Sequence, residues 1–346
     1  MNIREAIHCV VLGKDLSEEQ MRQVMNEIMS GVATPVQIGS FLTALRVKGE
    51  TVEEITGAVR VMREKVTRID TGVDTLQGGI ILDTCGTGGD GSGTFNVSTT
   101  SAFIAAACGL TVAKHGNRSV SSSCGSADVL EAAGVDLSLN PDQVSECIKQ
   151  TGIGFLYAPA LHGAMKYAIG PRREVGIRTI FNVLGPLTNP AGANVQVLGV
   201  FSEELTKPLA SVLAQLGSKR ALVVHGEGNL DELTTCGKTI ISELQAGNVT
   251  TYSVAPEDFG ISRATVSDLH GGKDNAESAE FMKNVLHGEK GPRRDISLLN
   301  SGAALYAAGV EKDFSAGIKH AADCIDSGQA LRKFHEFVEC TKSFKQ

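Results

Sequence analysis

From residue 1 to about 68, apolar side chains recur three and four places apart, as in Val24 and Ile28 and then Ile38, Phe41, Leu42 and Leu45. That spacing lines one face of an α-helix. Ser17 and Thr51 each precede acidic residues and stand where a side-chain oxygen can accept from the first free N–H groups of a helix. The pattern predicts a small all-helical domain over residues 1–68. After a turn-rich bridge, DTGVDTLQGG, the period changes. Short apolar runs of β type at 80–83, 110–114, 195–200 and 221–225 alternate with helical stretches at 97–108, 126–133, 141–151 and 203–217, and more helices follow from 277 onward. Such alternation gives a mainly parallel sheet flanked by helices. The expected fold class is therefore α/β: the small N-terminal helical domain plus a larger α/β domain over 78–346. The stretch 160–190, broken by Gly and Pro, is expected to join the helical domain in part.

Length and charge narrow the functional classes. A chain of 346 residues with a net charge of −7 suits two unequal domains and lacks the basic face on which phosphate-neutralising nucleic-acid binders depend. The eight cysteines form no CxxC pair and read as reduced thiols, which points to the cytoplasm. No apolar run reaches the ~18 residues of a membrane span, and the first twenty residues lack the apolar core of an export signal.

The chemistry concentrates in loops that follow the predicted strands. After Asp83 come Gly86, Gly88, Gly89, Gly91 and Gly93, and then Asn96, Ser98 and Thr99 opening an apolar helix. Glycines let backbone N–H groups approach a ligand closely, and a helix N-terminus adds donors and a favourable dipole, so the loop suits a phosphate or diphosphate. It matches neither GxxxxGK[ST] nor a clean GxGxxG. A flexible Gly/Ser linker is the plainer alternative. The second loop, KHGNRSVSSSCGSADVLE from Lys114, also leaves the carboxyl end of a strand, where open α/β sheets bind ligands. Lys114 and Arg118 can neutralise phosphate, Asn117 and the serine hydroxyls can bond ribose or phosphate, and Ser126 can do so or simply cap the next helix. A third loop carries adjacent carboxylates, Asp231 and Glu232. Beside a diphosphate they suit Mg²⁺; elsewhere they would be solvated surface.

Together GTGGD, NVST, KHGNR, GSADVLE, GIRTIFNVLGPLTNP and LDEL resemble the anthranilate phosphoribosyltransferases, a nucleoside phosphorylase-like phosphoribosyltransferase family, over nearly the whole chain. The resemblance implies that 5-phosphoribosyl 1-diphosphate is bound by Gly86, Gly89, Asp90, Thr94, Asn96, Val97, Ser98, Thr99, Lys114, His115, Gly116, Asn117, Arg118, Ser119, Val120, Ser121, Ser122 and Ser126. It implies Mg²⁺, as one or two ions, at Ser98, Asp231 and Glu232. It places anthranilate against Gly86, Asn117 and Arg172, with His115 and His162 nearby, and implies a homodimer. No side chain is expected to act as an obligatory general base, because an aromatic amine is already neutral near pH 7 and the stretches KHGNR and LHGAMKYAIGPRRE offer His115 and His162 but, apart from Glu174, no Asp or Glu evidently aimed at an amine.

Gly163 and Asn229 depart from the family pattern, which has Pro and Gly there. From the residues alone, Arg172 and Arg173 read equally well as a solvated helix face. Cys85 and Cys124 lie inside binding loops without an evident base and read as packing residues. Two other readings share the fold: a pyrimidine nucleoside phosphorylase-like enzyme, whose loops differ from GTGGD and KHGNR, and a nucleic-acid-binding relative, which should be basic and lack the acidic pair.

Overall fold

The computed structural model describes residues 1–118 and 124–344. The N-terminal region holds α1 (Ile3–Val11), α2 (Glu18–Met29), α3 (Pro35–Lys48) and α4 (Val52–Lys65). Each begins with a reciprocal cap in which an Asn, Ser or Thr oxygen accepts from the third helical N–H and a Glu or Gln returns the bond: Asn2 with Glu5, Ser17 with Gln20, Thr34 with Gln37 and Thr51 with Glu54. Val24, Ile28, Phe41, Leu42 and Leu45 are buried, as their spacing predicts. At Gly57 a Cβ would lie 2.5 Å from the Glu18 carbonyl oxygen, so glycine there lets α4 close on α2.

Beyond the bridge the chain alternates as expected through β1 (Ile81–Gly86), α5 (Val97–Ala107), β2 (Thr111–Gly116), α6 (Ser126–Ala132) and α7 (Pro141–Thr151). There follow β3 (Ile153–Tyr157), α8 (Ala158–Leu161), α9 (Lys166–Val175), α10 (Phe181–Leu187), β4 (Val195–Gly199), α11 (Thr206–Gln215) and β5 (Arg220–Gly226). The chain then makes the hairpin β6 (Thr239–Gln245) and β7 (Asn248–Val254), and ends with α12 (Asn275–His287), α13 (Pro292–Ala307), α14 (Phe314–Asp326) and α15 (Gln329–Ser343). The sheet runs β3-β2-β1-β4-β5-β6-β7, with β1 to β5 parallel and β6 and β7 antiparallel. The fold class is the expected one, a helical bundle with a larger, mostly parallel α/β unit. Three strands were not foreseen. β3 follows α7 with only Gly152 between them, and the polar edge strand β7 lacks an apolar run; its hairpin turns on Ala246 and Gly247, both at positive φ.

Strand order reverses at β1, so β2 and β4 leave on opposite sides and a crevice opens at the carboxyl ends of β1 and β4, where Gly86 pairs with Gly199. One core lies between the sheet and α5, α6 and α12–α15. A second joins α1–α4 to the opposite sheet face, and Ala168 of α9 and Phe181, Leu184 and Leu187 of α10 share it. Among the described residues no helix is long and apolar enough to cross a membrane.

Candidate active site

The glycine loop leaves β1 with Gly88, Gly89, Gly91 and Gly93 all at positive φ, between 64° and 73°. Only glycine adopts this conformation without steric cost. The far half of the loop is tied down: Phe95 donates its N–H to Leu269 O (2.9 Å) and Gly271 donates to Gly93 O (2.8 Å). Ser92 Oγ donates to Asp90 Oδ2 at 2.6 Å and lies 3.3 Å from Thr94 Oγ1. Asn96 precedes α5 but does not cap it; its amide turns to Ser278 Oγ (3.4 Å) and Cys124 O (3.5 Å). The Val97 and Thr99 side chains are buried, so these residues face a ligand only through their N–H groups.

The acidic pair is brought to this loop by close packing at three strand ends. A Cβ on Gly86 would lie 2.3 Å from Asp231 Oδ2, one on Gly199 1.5 Å from Asp231 O, and one on Gly226 2.7 Å from Glu232 O. Glycine at each position lets residues 231–232 fold across the ends of β1, β4 and β5. There Gly88 N–H donates to Asp231 Oδ2 (2.8 Å), and Ser98 N–H in the first turn of α5 donates to Glu232 Oε1 (3.1 Å). Burial and then the Asp90 charge push Asp231 up to about 7, and burial and then Asp231 push Glu232 well above the carboxylate range.

Lys114 lies under the pair, 3 % exposed, and donates to Thr84 O (2.6 Å) and Ser98 Oγ (3.2 Å). Burial lowers its pKa against the pull of Asp83, Cys85, Glu232 and Asp231. It lies in the floor of the crevice. Asp83 is wholly buried beside it, accepting from His115 N–H (3.1 Å) and Asn189 Nδ2 (2.8 Å).

In the second loop, Asn117 O accepts from Ala127 N–H (3.1 Å) and Ser126 Oγ (3.2 Å). The cap of α6 is Gly125, so Ser126 is its first helical residue and the capping role considered for it does not hold. A Cβ on Gly116 would lie 2.3 Å from Ser126 Oγ, which keeps this strand end bare as well. Arg118 is turned onto α6, pairing with Asp128 (3.0 Å) and Glu131 (2.7 Å). Its free-cation role toward phosphate would require breaking those pairs. Ser119, Val120, Ser121 and Ser122 lie outside the described residues.

His115 and His162 meet, Nε2 to Nε2, at 3.0 Å. Burial, joined for His115 by its neighbour, pushes them down to about 3 and about 4, so both are neutral near pH 7. Arg172 is half-buried on α9 with its guanidinium 5.1 Å from the Phe181 ring centre, and no carboxylate among the described residues pairs with it. Burial lowers its pKa. Arg173 is exposed. The buried Cys85 thiol is pushed well up by burial and then Asp83, as suits a packing residue. Three residues escaped the sequence reading: Asp83, Asn189 and Arg178, whose guanidinium donates to Gly89 O. All lie within or beside quoted motifs, but their roles depend on contacts about a hundred residues away in sequence, which no local spacing reveals.

The helical region, residues 4–66, matches the family model "Glycosyl transferase family, helical bundle domain", and residues 78–331 match "Glycosyl transferase family, a/b domain". The chain is 60% identical over 338 residues to the anthranilate phosphoribosyltransferase of Desulfotalea psychrophila, covering 98% of this chain and 97% of that protein. It is 55% identical to that of Acetivibrio thermocellus, covering 99% and 97%. The chain belongs to the anthranilate phosphoribosyltransferase family. The family's crystal structure from Thermus thermophilus superposes with a TM-score of 0.91 at 43% identity, covering 97% of this chain and 99% of that one. The Saccharomyces cerevisiae enzyme in complex with PRPP and Mg gives 0.88 at 30% identity, covering 99% and 98%.

Against the family pattern noted above, Asn229 stands at φ 62°, where its short polar side chain makes it the usual substitute for glycine. A Cβ on Gly163 would meet nothing within 4 Å.

Proposed function

We propose that the chain transfers the phosphoribosyl group of 5-phosphoribosyl 1-diphosphate to the amine of anthranilate, releasing diphosphate, in tryptophan biosynthesis in the cytoplasm. The observation that carries the reading is the juxtaposition at the strand ends: N–H donors suited to a polyanion and carboxylates suited to a cation occupy one place and satisfy each other in the free protein. The relatives add support, since the yeast enzyme is known in complex with PRPP and Mg and with 4-fluoroanthranilate.

Asp231 and Glu232 form a hard oxygen donor set, with no Arg paired to either among the described residues, which fits Mg²⁺ held together with Ser98, as one or two ions. Bound there, the ion neutralises charge on a departing diphosphate. The remaining work falls to the chain. Gly86–Asp90, Thr94 and the N–H groups of Asn96–Thr99 cradle the phosphates. The Gly88 and Ser98 N–H groups, which donate to the two carboxylates in the free protein, would be the donors offered to phosphate oxygen. Lys114 beneath them donates to Ser98 Oγ. Gly116, Asn117, Arg118 and Ser126 are assigned to the other side of the diphosphate site; Ser119, Val120, Ser121 and Ser122, assigned to the same substrate, lie outside the described residues. Arg172, left without a carboxylate partner, takes that of anthranilate, with Gly86, Asn117, His115 and His162 around the ring.

The amine attacks ribose C1 on the face opposite the leaving diphosphate, so the centre inverts. No side chain removes a proton beforehand. An aromatic amine is already neutral near pH 7, and burial holds both histidines neutral. The proton shed after attack passes to the substrate's own ortho carboxylate or to diphosphate. The phosphate loops belong to the sheet, whereas α9 shares its core with α1–α4, so closure between these parts would align the two substrates and exclude water.

The unit also forms a homodimer. Val36 and Val47 stand on one face of α3 at 78% and 83% exposure, with Val11 of α1 at 67%, and such a face is covered in a two-fold pair. Sedimentation at micromolar concentration should give twice the chain mass; a monomer would contradict it.

The reaction is tested by following diphosphate release from phosphoribosyl diphosphate. Release that requires both anthranilate and Mg²⁺ is expected. Phosphate-dependent cleavage of a pyrimidine nucleoside instead, or no turnover at all, would overturn the reading.

A further inference from the structure

The glycine loop has four left-handed glycines and therefore a broad unfolded ensemble to overcome. Its far half is held by Leu269 and Gly271, and Gly88 by Asp231, but Gly89 has its side-chain contact from a different quarter. Arg178 leaves the segment between α9 and α10 and donates Nη2–H to Gly89 O. The same guanidinium lies 4.2 Å from the centre of the Phe201 ring. Phe201 is itself fixed to the loop's base, since its N–H donates to Thr87 Oγ1 (3.1 Å) and Thr87 N–H donates to Gly199 O (2.9 Å). At its root Arg178 is followed by Thr179 and Ile180, both buried, with Thr179 N–H donating to Asn182 Oδ1 at 2.9 Å. An exposed arginine is thus anchored at its backbone, flattened on an aromatic ring and committed to one carbonyl of the loop.

We propose that Arg178 is a positioning residue for the phosphoribosyl diphosphate site, setting the shape of the glycine loop from the α9–α10 side of the crevice. The inference rests on the reading of that loop as the diphosphate cradle. A trans peptide is planar with its C=O and N–H on opposite sides, so fixing the Gly89 carbonyl toward Arg178 turns the Asp90 N–H away from it in one direction. The arginine does not touch substrate in this role. It acts by removing conformations the loop would otherwise sample before binding, which lowers the ordering cost of the complex.

Arg178→Ala and Arg178→Lys test this, the lysine retaining a charged donor for the carbonyl but not the flat ring contact. In the free protein, amide exchange across 86–91 should quicken in Arg178→Ala and return toward the wild-type rate in Arg178→Lys. In steady-state assays Arg178→Ala should raise the KM for phosphoribosyl diphosphate by about 10-fold, the size of one charge-assisted hydrogen bond, and leave the KM for anthranilate nearly unchanged. Arg178→Lys should recover most of that loss. Unaltered exchange and unaltered KM would overturn the proposal. So would an equal rise in both KM values, which would mean that the α9–α10 segment had been displaced as a whole. If the wild-type protein releases no diphosphate, the proposed reaction fails, and the exchange measurement on free protein still decides whether Arg178 holds the loop.

Discussion

The helices of the N-terminal bundle and those that border the crevice solve the same end problem differently. α1–α4 each close their first turn with their own side chains. α5 does not, since Asn96 turns its amide elsewhere, and α6 does so only in part: Asp128 accepts from Gly125 N–H (3.0 Å), but Gly125 has no side chain to return the bond. α7, away from the crevice, again has a full reciprocal cap, from Asn140 and Gln143. A self-capped helix is finished as a structural part, whereas an uncapped one behind a glycine loop leaves N–H groups for another partner. Absence of a cap does not mark a site by itself, since α15 also starts without one, after Gly328. The distinguishing feature at α5 is that a carboxylate from 134 residues away in sequence, Glu232, occupies the free donor.

The largest effect should come from removing that partner chemistry. Asp231→Asn with Glu232→Gln should lower kcat/KM by more than about 10³-fold, since each electrostatic group lost from such a site costs roughly 10² to 10³. The thermal midpoint should hold or rise, because two carboxylates raised in pKa by burial are a burden to the free fold. Retained Mg²⁺-dependent turnover in this double variant would break the contrast between the two kinds of helix start.

Arg172→Ala should reduce kcat/KM for anthranilate by about 30-fold to a few thousand-fold, as for loss of one member of a buried charge pair. The KM for phosphoribosyl diphosphate should change little. Equal damage toward both substrates would assign Arg172 to structure or to the phosphates.

How far these features were legible in the sequence follows the same division. Self-capped helices announce themselves locally, and Ser17 and Thr51 were read as caps from their neighbours alone. The strand-end loops were legible as glycine, hydroxyl and acid clusters, because close backbone approach demands glycine whatever the fold. Their mutual geometry was not. That Gly86, Gly199 and Gly226 all make room for residues 231–232, or that Lys114 lies in the floor and Arg118 pairs with its own helix, depends on strand order, which no local pattern contains. β3, IGFLY, has an apolar run of its own but follows α7 with only Gly152 between them, so no turn-rich break sets it apart; β7, at the sheet edge, lacks an apolar run.

The histidines should give a smaller effect than Arg172 or the acidic pair. His115→Ala and His162→Ala should each lower kcat by less than about 10²-fold, below the 10² to 10⁴ expected of a true general base. Both rings are held neutral, with pKa values near 3 and 4 against 6.5 for free histidine, so kcat should show no ascending limb near pH 6.5. Linkage fixes the sign for stability. The unfolded chain binds protons that the folded chain refuses, so the histidine contribution is complete above about pH 6.5 and is lost as pH falls toward about 4. Each alanine variant should flatten that part of the stability profile. A kcat loss above about 10³-fold, with phosphoribosyl diphosphate binding intact, would identify the base that the mechanism omits.

The smallest effect belongs to the bundle. Ser17→Ala should cost about 1 kcal/mol of stability through loss of the α2 cap and leave both KM values unchanged. A change in either KM would show that the bundle's caps are not purely structural.

The most direct measurement is an amide-exchange footprint of phosphoribosyl diphosphate with Mg²⁺. The account predicts new protection across 86–99, covering the glycine loop and the first turn of α5, with the self-capped first turns of α1–α4 unchanged. Protection at those first turns, or none across 86–99 under saturating ligand, would contradict it.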